Sequence, residues 1–255
     1  MYMQLTSDAL GRWVDSYKIR SYEVDCNSCV TIPCLCQYLQ ESAWNHAEHL
    51  GVGFSHLMDR GAIWALSRQK LRMHCLPRWG DIITIHTWPS GVDRLFCYRD
   101  FRITGHEGTV IGIASTAWFI ILLKNRRPQR TDEYIHFEYD NKNTFFDTFP
   151  AKLHYPDVPG HEKTITVRFS DLDINEHVNN VKYVSYLLDT LPFDYIKTNI
   201  FREMEINYLS EAHHNNSIKV SFTNNDHLTF MHRLTRNSDN TELCRAKTIW
   251  SNTGR

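Results

Sequence analysis

The sequence predicts an α+β fold made of two tandem copies of one unit, each a long helix wrapped by an antiparallel sheet. A strand-turn-strand segment at residues 71–85 recurs at 206–220, an offset of 135, and residues 114–118 recur at 246–250, an offset of 132. In each copy a helical apolar pattern precedes strands with alternating apolar residues. An antiparallel sheet is the simplest cover for the apolar face of such a helix.

The first helix is predicted by apolar residues three and four positions apart, with Pro33 in its first turn and Gly51 and Gly53 at its end. These residues are Leu35, Leu39, Ala43, Trp44, Ala47 and Leu50. The second helix has the same period, and Pro192 follows its end. Its apolar residues are Val178, Val181, Val184, Leu187 and Leu188.

The strands of the second copy show apolar residues at every other position. Met204, Ile206 and Tyr208 share one face of a strand, and the next strand carries Ile218 and Val220. Turn clusters at 105–108 and 237–240 join the last two strands of each copy. We predict an N-terminal domain at 1–130, a polar linker at 131–160 and a C-terminal domain at 161–255.

Charge and hydropathy argue against two classes of partner. The chain has 28 Lys and Arg residues against 29 Asp and Glu, without a basic block, so nucleic-acid binding is not expected. The longest uninterrupted apolar run, 117–123, is far shorter than the roughly 18 residues of a membrane span. Residues 1–8 lack the features of a secretory or transit leader, so we expect a cytoplasmic protein.

Four of the seven cysteines lie close together, and two interpretations follow from their spacing. They are Cys26, Cys29, Cys34 and Cys36. Thiol pairs two to four residues apart occur in zinc sites, yet this cluster runs into the apolar segment 32–39, where cysteine behaves as a small buried hydrophobe. We expect reduced structural thiols and no metal.

The densest polar cluster, residues 171–180, precedes the second helix. Its polar side chains are the types that cap helix N-termini, and capping alone accounts for one of them. Asp173, Asn175 and His177 alternate, however, and in an extended loop residues two apart project to the same side. A carboxylate, an amide and an imidazole would then converge.

Residues 168–183, RFSDLDINEHVNNVKY, resemble the signature of the acyl-acyl carrier protein (acyl-ACP) thioesterases, the fatty-acid-releasing enzymes of plants and bacteria. Residues 79–81, 126–130 and 206–211 are also similar to segments of this family, and the resemblance extends from about residue 17 to residue 250. It implies two tandem hotdog domains, hydrolysis of acyl-ACP to a free fatty acid, and no metal or organic cofactor.

The resemblance places Asp173, Asn175, His177 and Glu211 in the active site. A cysteine often follows the glutamate in plant members, whereas here the position is Ala212. This difference favours direct attack by water, with Glu211 as the general base. His177 as the base, oriented by Glu211, is the main alternative. From the residues alone, Glu211 would simply extend a solvated strand face.

The first copy has no matching polar set at an offset of 135, where Tyr38, Gln40 and Ser42 stand. We therefore expect the first copy to have no catalytic residues. The resemblance implies that this half builds the acyl pocket. The apolar residues of the first helix region are candidates for its lining, with ordinary core residues as the alternative. They are Trp44, Ala47, Leu50, Phe54 and Met58.

Three further groups carry weaker signals. His46 and His49 with Glu48 have the spacing of half a metal site, which we interpret as surface polarity. The pair His213-His214 is interpreted as a turn. The basic residues Arg126, Arg127 and Arg130, with Lys124, form a candidate contact for the acidic carrier protein or its phosphopantetheine phosphate, or else a solvated linker.

We therefore expect an acyl-ACP thioesterase whose partner is the carrier protein with its phosphopantetheine-linked acyl chain. An acyl-CoA thioesterase on the same fold and a non-catalytic acyl-binding protein are the alternatives. Acyl chain length and the choice between a monomer and a homodimer are not determined by the sequence.

Overall fold

The computed structural model describes residues 11–137, 139–140, 142, 144–146, 149–156 and 160–252. Residues 1–8, on which the expectation of no leader depends, lie outside this part of the chain. The chain divides into two compact units, Met1–Ala151 and Lys152–Arg255. The division lies within the expected linker, and the predicted domain boundaries stay a prediction.

The first unit contains five antiparallel strands, hydrogen-bonded in the order β1-β3-β4-β5-β2, with a long helix packed on them. Its elements are β1 (Trp13–Lys18), α1 (Ile32–His49), α2 (Phe54–Met58), β2 (Ala62–Met73), β3 (Ile82–Val92), β4 (Cys97–Thr104) and β5 (Val110–Leu122). α1 begins where the Thr31 side chain accepts a hydrogen bond from the Cys34 N–H. Its residues Leu35, Leu39 and Ala43 are buried, and it contacts β1 and β3.

The second unit repeats this arrangement with the strand order β6-β8-β9-β10-β7. Its elements are β6 (His161–Thr166), α3 (Asn180–Leu188), α4 (Phe193–Thr198), β7 (Asn199–Tyr208), β8 (Ser217–Asp226), β9 (Thr229–Arg236) and β10 (Glu242–Asn252). α3 has 9 residues against 18 in α1, so the prediction of a long second helix is wrong in length. Asn179 is the N-cap of α3, so Val178 lies two residues before the first helical residue.

Irregularities in the strand pairing of each unit recur at the offsets found in the sequence. β2 shifts register between Leu66 and Arg68, and β7 shifts between Phe201 and Glu203, 135 residues later. β3 shifts between Pro89 and Gly91, and β8 shifts between positions 224 and 226, again 135 later. Because a bulge is a specific local feature, its recurrence supports the duplication.

A tryptophan-threonine contact is also repeated. The Trp118 indole N–H donates to Thr116 Oγ1 at 2.8 Å, and the Trp250 indole N–H donates to Thr248 Oγ1 at 3.1 Å. The second tryptophan-threonine pair lies 132 residues after the first, which is the second offset found in the sequence. The indole N–H groups are thereby satisfied inside each sheet-helix unit.

The cysteines differ from one another in environment. Cys34 and Cys36 are buried on α1, as the hydrophobe interpretation predicts, whereas Cys26 is exposed. Within the described residues, no three His, Cys, Asp or Glu side chains are grouped so that they could hold a metal ion. None of the helices in the described ranges combines the length and apolar character needed to span a bilayer.

Candidate active site

The polar residues before α3 form a tight turn. Leu172 and Val178 form a β-bridge, the Asp173 N–H donates to the His177 carbonyl at 2.8 Å, and the Glu176 N–H donates to the Asp173 carbonyl at 3.0 Å. Glu176 has a left-handed φ of 61°. The expectation of an extended loop is therefore wrong, because the chain reverses direction here.

Asp173 holds this turn together. Its Oδ1 accepts a hydrogen bond from the Asn175 N–H at 2.8 Å and from the His177 N–H at 3.4 Å. Asn175 is exposed, whereas Asp173 and His177 are half-buried. The carboxylate of Asp173 thus orients the backbone of Asn175 and of His177.

Backbone pairing brings His177 to Glu211. His177 forms a β-bridge with His213, and the neighbouring Val178 N–H donates to the Ala212 carbonyl at 2.9 Å. The two side chains then meet, with His177 Nε2 at 3.5 Å from Glu211 Oε2. The His177 side chain is 20% exposed and the Glu211 side chain 43%, so the pair lies at an accessible surface.

The segment that carries Glu211 is anchored by Arg236, which sequence reasoning did not identify. Arg236 Nη1 donates to the Glu211 carbonyl at 2.9 Å, and its Nε and Nη2 donate to the two carboxylate oxygens of Asp239 at 3.0 and 2.8 Å. The Tyr183 hydroxyl donates to the Ser210 carbonyl at 3.4 Å. No spacing rule in the sequence signals such contacts to backbone carbonyls.

His213 belongs to the site as well. Its ring meets the His177 ring edge to face, with 4.9 Å between centroids. The prediction of a plain turn at His213-His214 did not include this contact. The position of His213, two residues after Glu211, could have indicated it, since residues two apart in an extended segment share a side.

Capping of α3 is done by Asn179, whose Oδ1 accepts a hydrogen bond from the Val181 N–H at 2.9 Å. Helix capping therefore does not account for Asp173, Asn175 or His177. Asp171 supports the same region. Burial alone would raise its pKa, but the hydrogen bond from the Arg168 N–H and the Lys182 ammonium, 3.5 Å away, lower the pKa below its ordinary value.

The first unit contains a second copy of the turn, at a different place from the one expected. Val24 and Val30 form a β-bridge like that of Leu172 and Val178, an offset of 148. Since the later strands keep an offset of 135, the first unit has 148 − 135 = 13 additional residues between its turn and β2. Positions 38, 40 and 42 lie within α1 and are not counterparts of the candidate active-site residues.

The two turns share their hydrogen bonds. Asp25 Oδ1 accepts from the Asn27 N–H at 2.8 Å and from the Cys29 N–H at 3.0 Å. Ser28 has a φ of 61°, the same value as Glu176. The sequence D-x-N-x-C at 25–29 thus folds like D-x-N-x-H at 173–177.

The chemistry differs between the copies. Cys29 occupies the histidine position and pairs with Arg78, 135 residues before His213, which puts Leu76 in the place of Glu211. Burial raises the pKa of Cys29, so the thiol is protonated at neutral pH. The first copy therefore keeps the turn and lacks the imidazole-carboxylate pair.

The candidate pocket residues of the first unit lie outside its buried core. Trp44 is 42% exposed and Met58 is 41% exposed, whereas Ala47, Leu50 and Phe54 are half-buried. The Trp44 and Phe54 rings stack at 5.4 Å. The alternative that these residues form the core is wrong for Trp44 and Met58.

The two histidines of α1 differ in burial. His46 is 4% exposed and stacks on Trp13, so its interpretation as surface polarity is wrong, whereas His49 is exposed.

The basic residues after β5 lie on the surface. Arg126, Arg127 and Arg130 are all exposed. Arg130 pairs with Asp132 through two hydrogen bonds of 3.0 and 2.6 Å.

Both units match descriptions of one family. Residues 12–139 match the acyl-ACP thioesterase N-terminal domain, and residues 156–252 match the acyl-ACP thioesterase C-terminal domain. The chloroplastic palmitoyl-acyl carrier protein thioesterase of Gossypium hirsutum is 27% identical over 264 residues, which cover 92% of this chain and 62% of that protein. The chain thus spans less than two thirds of that relative.

Solved structures agree in fold. An acyl-ACP thioesterase from Bacteroides thetaiotaomicron has a TM-score of 0.83 at 26% identity, covering 94% of this chain and 98% of its own. A 12:0-ACP thioesterase from Umbellularia californica has a TM-score of 0.84 at 21% identity, covering 95% and 98%. The predicted α+β fold with two tandem hotdog domains is confirmed.

Proposed function

This chain belongs to the acyl-ACP thioesterase family, and from that premise we propose that it hydrolyses the thioester of an acyl-ACP to a free fatty acid and the carrier protein. The observation that carries the proposal is the contact between His177 Nε2 and Glu211 Oε2 at 3.5 Å on an accessible surface. A carboxylate beside an imidazole can take a proton from water and polarise a carbonyl, the two tasks of thioester hydrolysis.

In the proposed reaction a water oxygen attacks the thioester carbonyl carbon while Glu211 takes the water proton. The His177 N–H donates toward the developing oxyanion, and Asn175, exposed at the tip of the turn, positions the water or adds a second donor. Collapse of the tetrahedral intermediate breaks the C–S bond, and the departing sulfur receives the proton. No metal or organic cofactor takes part, and Ala212 supplies no thiol nucleophile.

The choice between Glu211 and His177 as the base has a kinetic test. Residual activity of His177→Gln should keep an acid limb of kcat/KM in the carboxylate range if Glu211 is the base. If instead His177 is the base, the wild-type acid limb follows an imidazole and disappears in this variant. The assay is the pH dependence of fatty-acid release.

We also propose how the substrate is held. The exposed residues Arg126, Arg127 and Arg130 would attract an acidic carrier protein or its phosphate, because guanidinium groups on an accessible surface are complementary to both. Trp44, Ala47, Leu50, Phe54 and Met58 would contact the acyl chain. The stacked rings of Trp44 and Phe54 offer it an apolar surface.

The experiment that tests the function is fatty-acid release from acyl-ACPs of different chain lengths, with the matching acyl-CoAs measured in parallel. We expect a higher kcat/KM for the carrier-protein thioesters. A higher value for the CoA thioesters would change the substrate class to acyl-CoA. No release from either, with the protein folded, would eliminate hydrolysis in favour of acyl binding.

A further inference from the structure

A second imidazole, that of His213, lies beside the His177-Glu211 pair. Residues 177 and 213 face each other in a β-bridge, and their rings meet edge to face with 4.9 Å between centroids. Glu211 precedes His213 by two residues, and its Oε2 lies 3.5 Å from Nε2 of the same His177 ring. Two titratable side chains therefore meet His177, and the proposed reaction so far uses only Glu211.

The fold does not require an imidazole at position 213. The His213 N–H donates to Asn216 Oδ1 at 3.0 Å, and in the first unit the N–H of Arg78, 135 residues earlier, donates to Asp81 Oδ2 at 2.8 Å. Arg78 also forms the matching β-bridge, with Cys29. Backbone groups thus hold this segment in both units, whichever side chain stands at the bridge.

We propose that His213 is the general acid that protonates the sulfur as it departs from the thioester. This inference rests on the proposed hydrolysis and adds the proton donor for its last step. An imidazole suits the task because its ordinary pKa, about 6.5, lies close to physiological pH, where it can both give and regain a proton. The His213 side chain is exposed, so a carrier-bound thioester can reach it.

The proton transfers at Glu211 and His213 balance over one turnover. Glu211 takes one proton from the attacking water, and the new C–O bond converts the carbonyl into a tetrahedral intermediate. When this intermediate collapses, the C–S bond breaks, its electron pair goes to sulfur, and the imidazolium of His213 gives the sulfur a proton. The proton held by Glu211 then returns to His213 through solvent, since both side chains are exposed. Water and thioester thus yield one carboxylic acid and one thiol.

A separate acid matters because the tetrahedral intermediate can collapse in two directions. Protonated Glu211 can return its proton to the attacking oxygen, which expels water and regenerates the thioester. A proton given to the sulfur instead makes the thiol the better leaving group and favours the products. The benefit should be largest for an alkyl thiol such as pantetheine, because its thiolate leaves less readily than that of a more acidic aryl thiol.

The test compares two thioesters of one acyl chain that differ in the leaving thiol, acyl-pantetheine and the 4-nitrothiophenyl thioester. The kcat/KM of the full chain is measured for each. His213→Gln should lower the value for acyl-pantetheine about 10²-fold and the value for the aryl thioester by less than about threefold. Glu211→Gln should lower both values by similar factors, because the base acts in the attack on either carbonyl.

Two further variants separate catalysis from packing. His213→Phe keeps a ring against His177 but has no proton to donate, so it should behave like His213→Gln. His214→Gln, a change at the exposed neighbour, should keep wild-type kcat/KM for both thioesters. All these variants should fold, because the side chains are exposed and the backbone bonds of the turn are retained.

The outcomes distinguish this assignment from the proposed function. Wild-type activity of His213→Phe toward acyl-pantetheine, or equal losses for the two thioesters in His213→Gln, would overturn the role of His213 and leave the hydrolysis in place. The absence of hydrolysis by the wild-type protein would overturn the proposed function, and the role of His213 with it.

Discussion

At the scale of single residues, the proposed hydrolysis depends most directly on the Glu211 carboxylate. Glu211→Gln keeps the shape of the side chain and removes its basicity, so kcat/KM for acyl-ACP should fall about 10²- to 10⁴-fold. The side chain is 43% exposed, and the free energy of unfolding should change by less than about 0.5 kcal/mol.

The matched control is Glu162→Gln, a partly exposed glutamate of the same unit that pairs with Lys219 on the surface. It should retain wild-type kcat/KM. Equal activity of Glu211→Gln and Glu162→Gln would remove Glu211 from the mechanism.

Asp173 is predicted to act by holding the turn, and the duplicated turn supplies its control. Asp173→Ala and Asp25→Ala each remove an acceptor of two backbone N–H groups. Each should cost about 1–3 kcal/mol in urea unfolding. Only Asp173→Ala should also lower kcat, because the other turn lacks the imidazole-carboxylate pair. A similar loss of kcat in both variants would mean that the loss reflects stability alone.

At the scale of elements, a turn of five residues with the pattern D-x-N-x-H or D-x-N-x-C is the unit that positions the candidate active-site residues. Its fold is independent of the last side chain, since Cys29 and His177 occupy equivalent places. The family resemblance identified Asp173, Asn175 and His177, but not the shape of their loop. Alternation along a sequence cannot distinguish an extended loop from a turn in which Asp173 accepts two N–H groups.

This equivalence predicts that the missing pair can be rebuilt in the first unit. In the double variant Cys29→His, Leu76→Glu, the introduced imidazole should have a higher pKa than in Cys29→His alone, because the introduced carboxylate favours its charged form. NMR titration of the histidine signals measures the difference. Identical values in the two variants would show that position 76 does not take the place of position 211.

The apolar periodicity predicted the start of one helix more accurately than the start of the other. The pattern located α1 within a few residues, because Pro33 marks its first turn and Gly51 and Gly53 follow its end. For α3 the same pattern included Val178, whose N–H instead bonds to Ala212. Apolar spacing reports which residues are buried, and it does not show that Asn179 caps the helix one residue after Val178.

At the scale of the whole molecule, two buried histidines should make the protein less stable in acid. Burial lowers the pKa of His46 and of His232 to about 3 each, whereas both rise to about 6.5 on unfolding. The contribution of these two histidines to the free energy of unfolding is therefore fully present above about pH 6.5. It decreases as the pH falls, because the unfolded chain then binds more protons than the folded chain. The upper limit is about 1.4 kcal/mol per pH unit for each histidine.

Urea unfolding at pH 7.5 and pH 5.0 measures this effect. His232→Phe, which introduces the residue found at the corresponding position Phe101, should reduce the difference by about half. An unchanged difference would mean that His232 is protonated in the folded state or does not contribute. The exposed His106 offers a control, since His106→Phe should leave the difference as it was.

The sequence by itself determined the α+β class, the duplication and the family, because periodicity and repeated segments are local properties that no distant contact has to supply. The tertiary structure decided the geometry. It located the second turn at 25–29, brought Glu211 to His177, and buried His46 against Arg99. Each of these depends on backbone pairing or burial between residues far apart in the chain, and such contacts leave no spacing that a sequence can display.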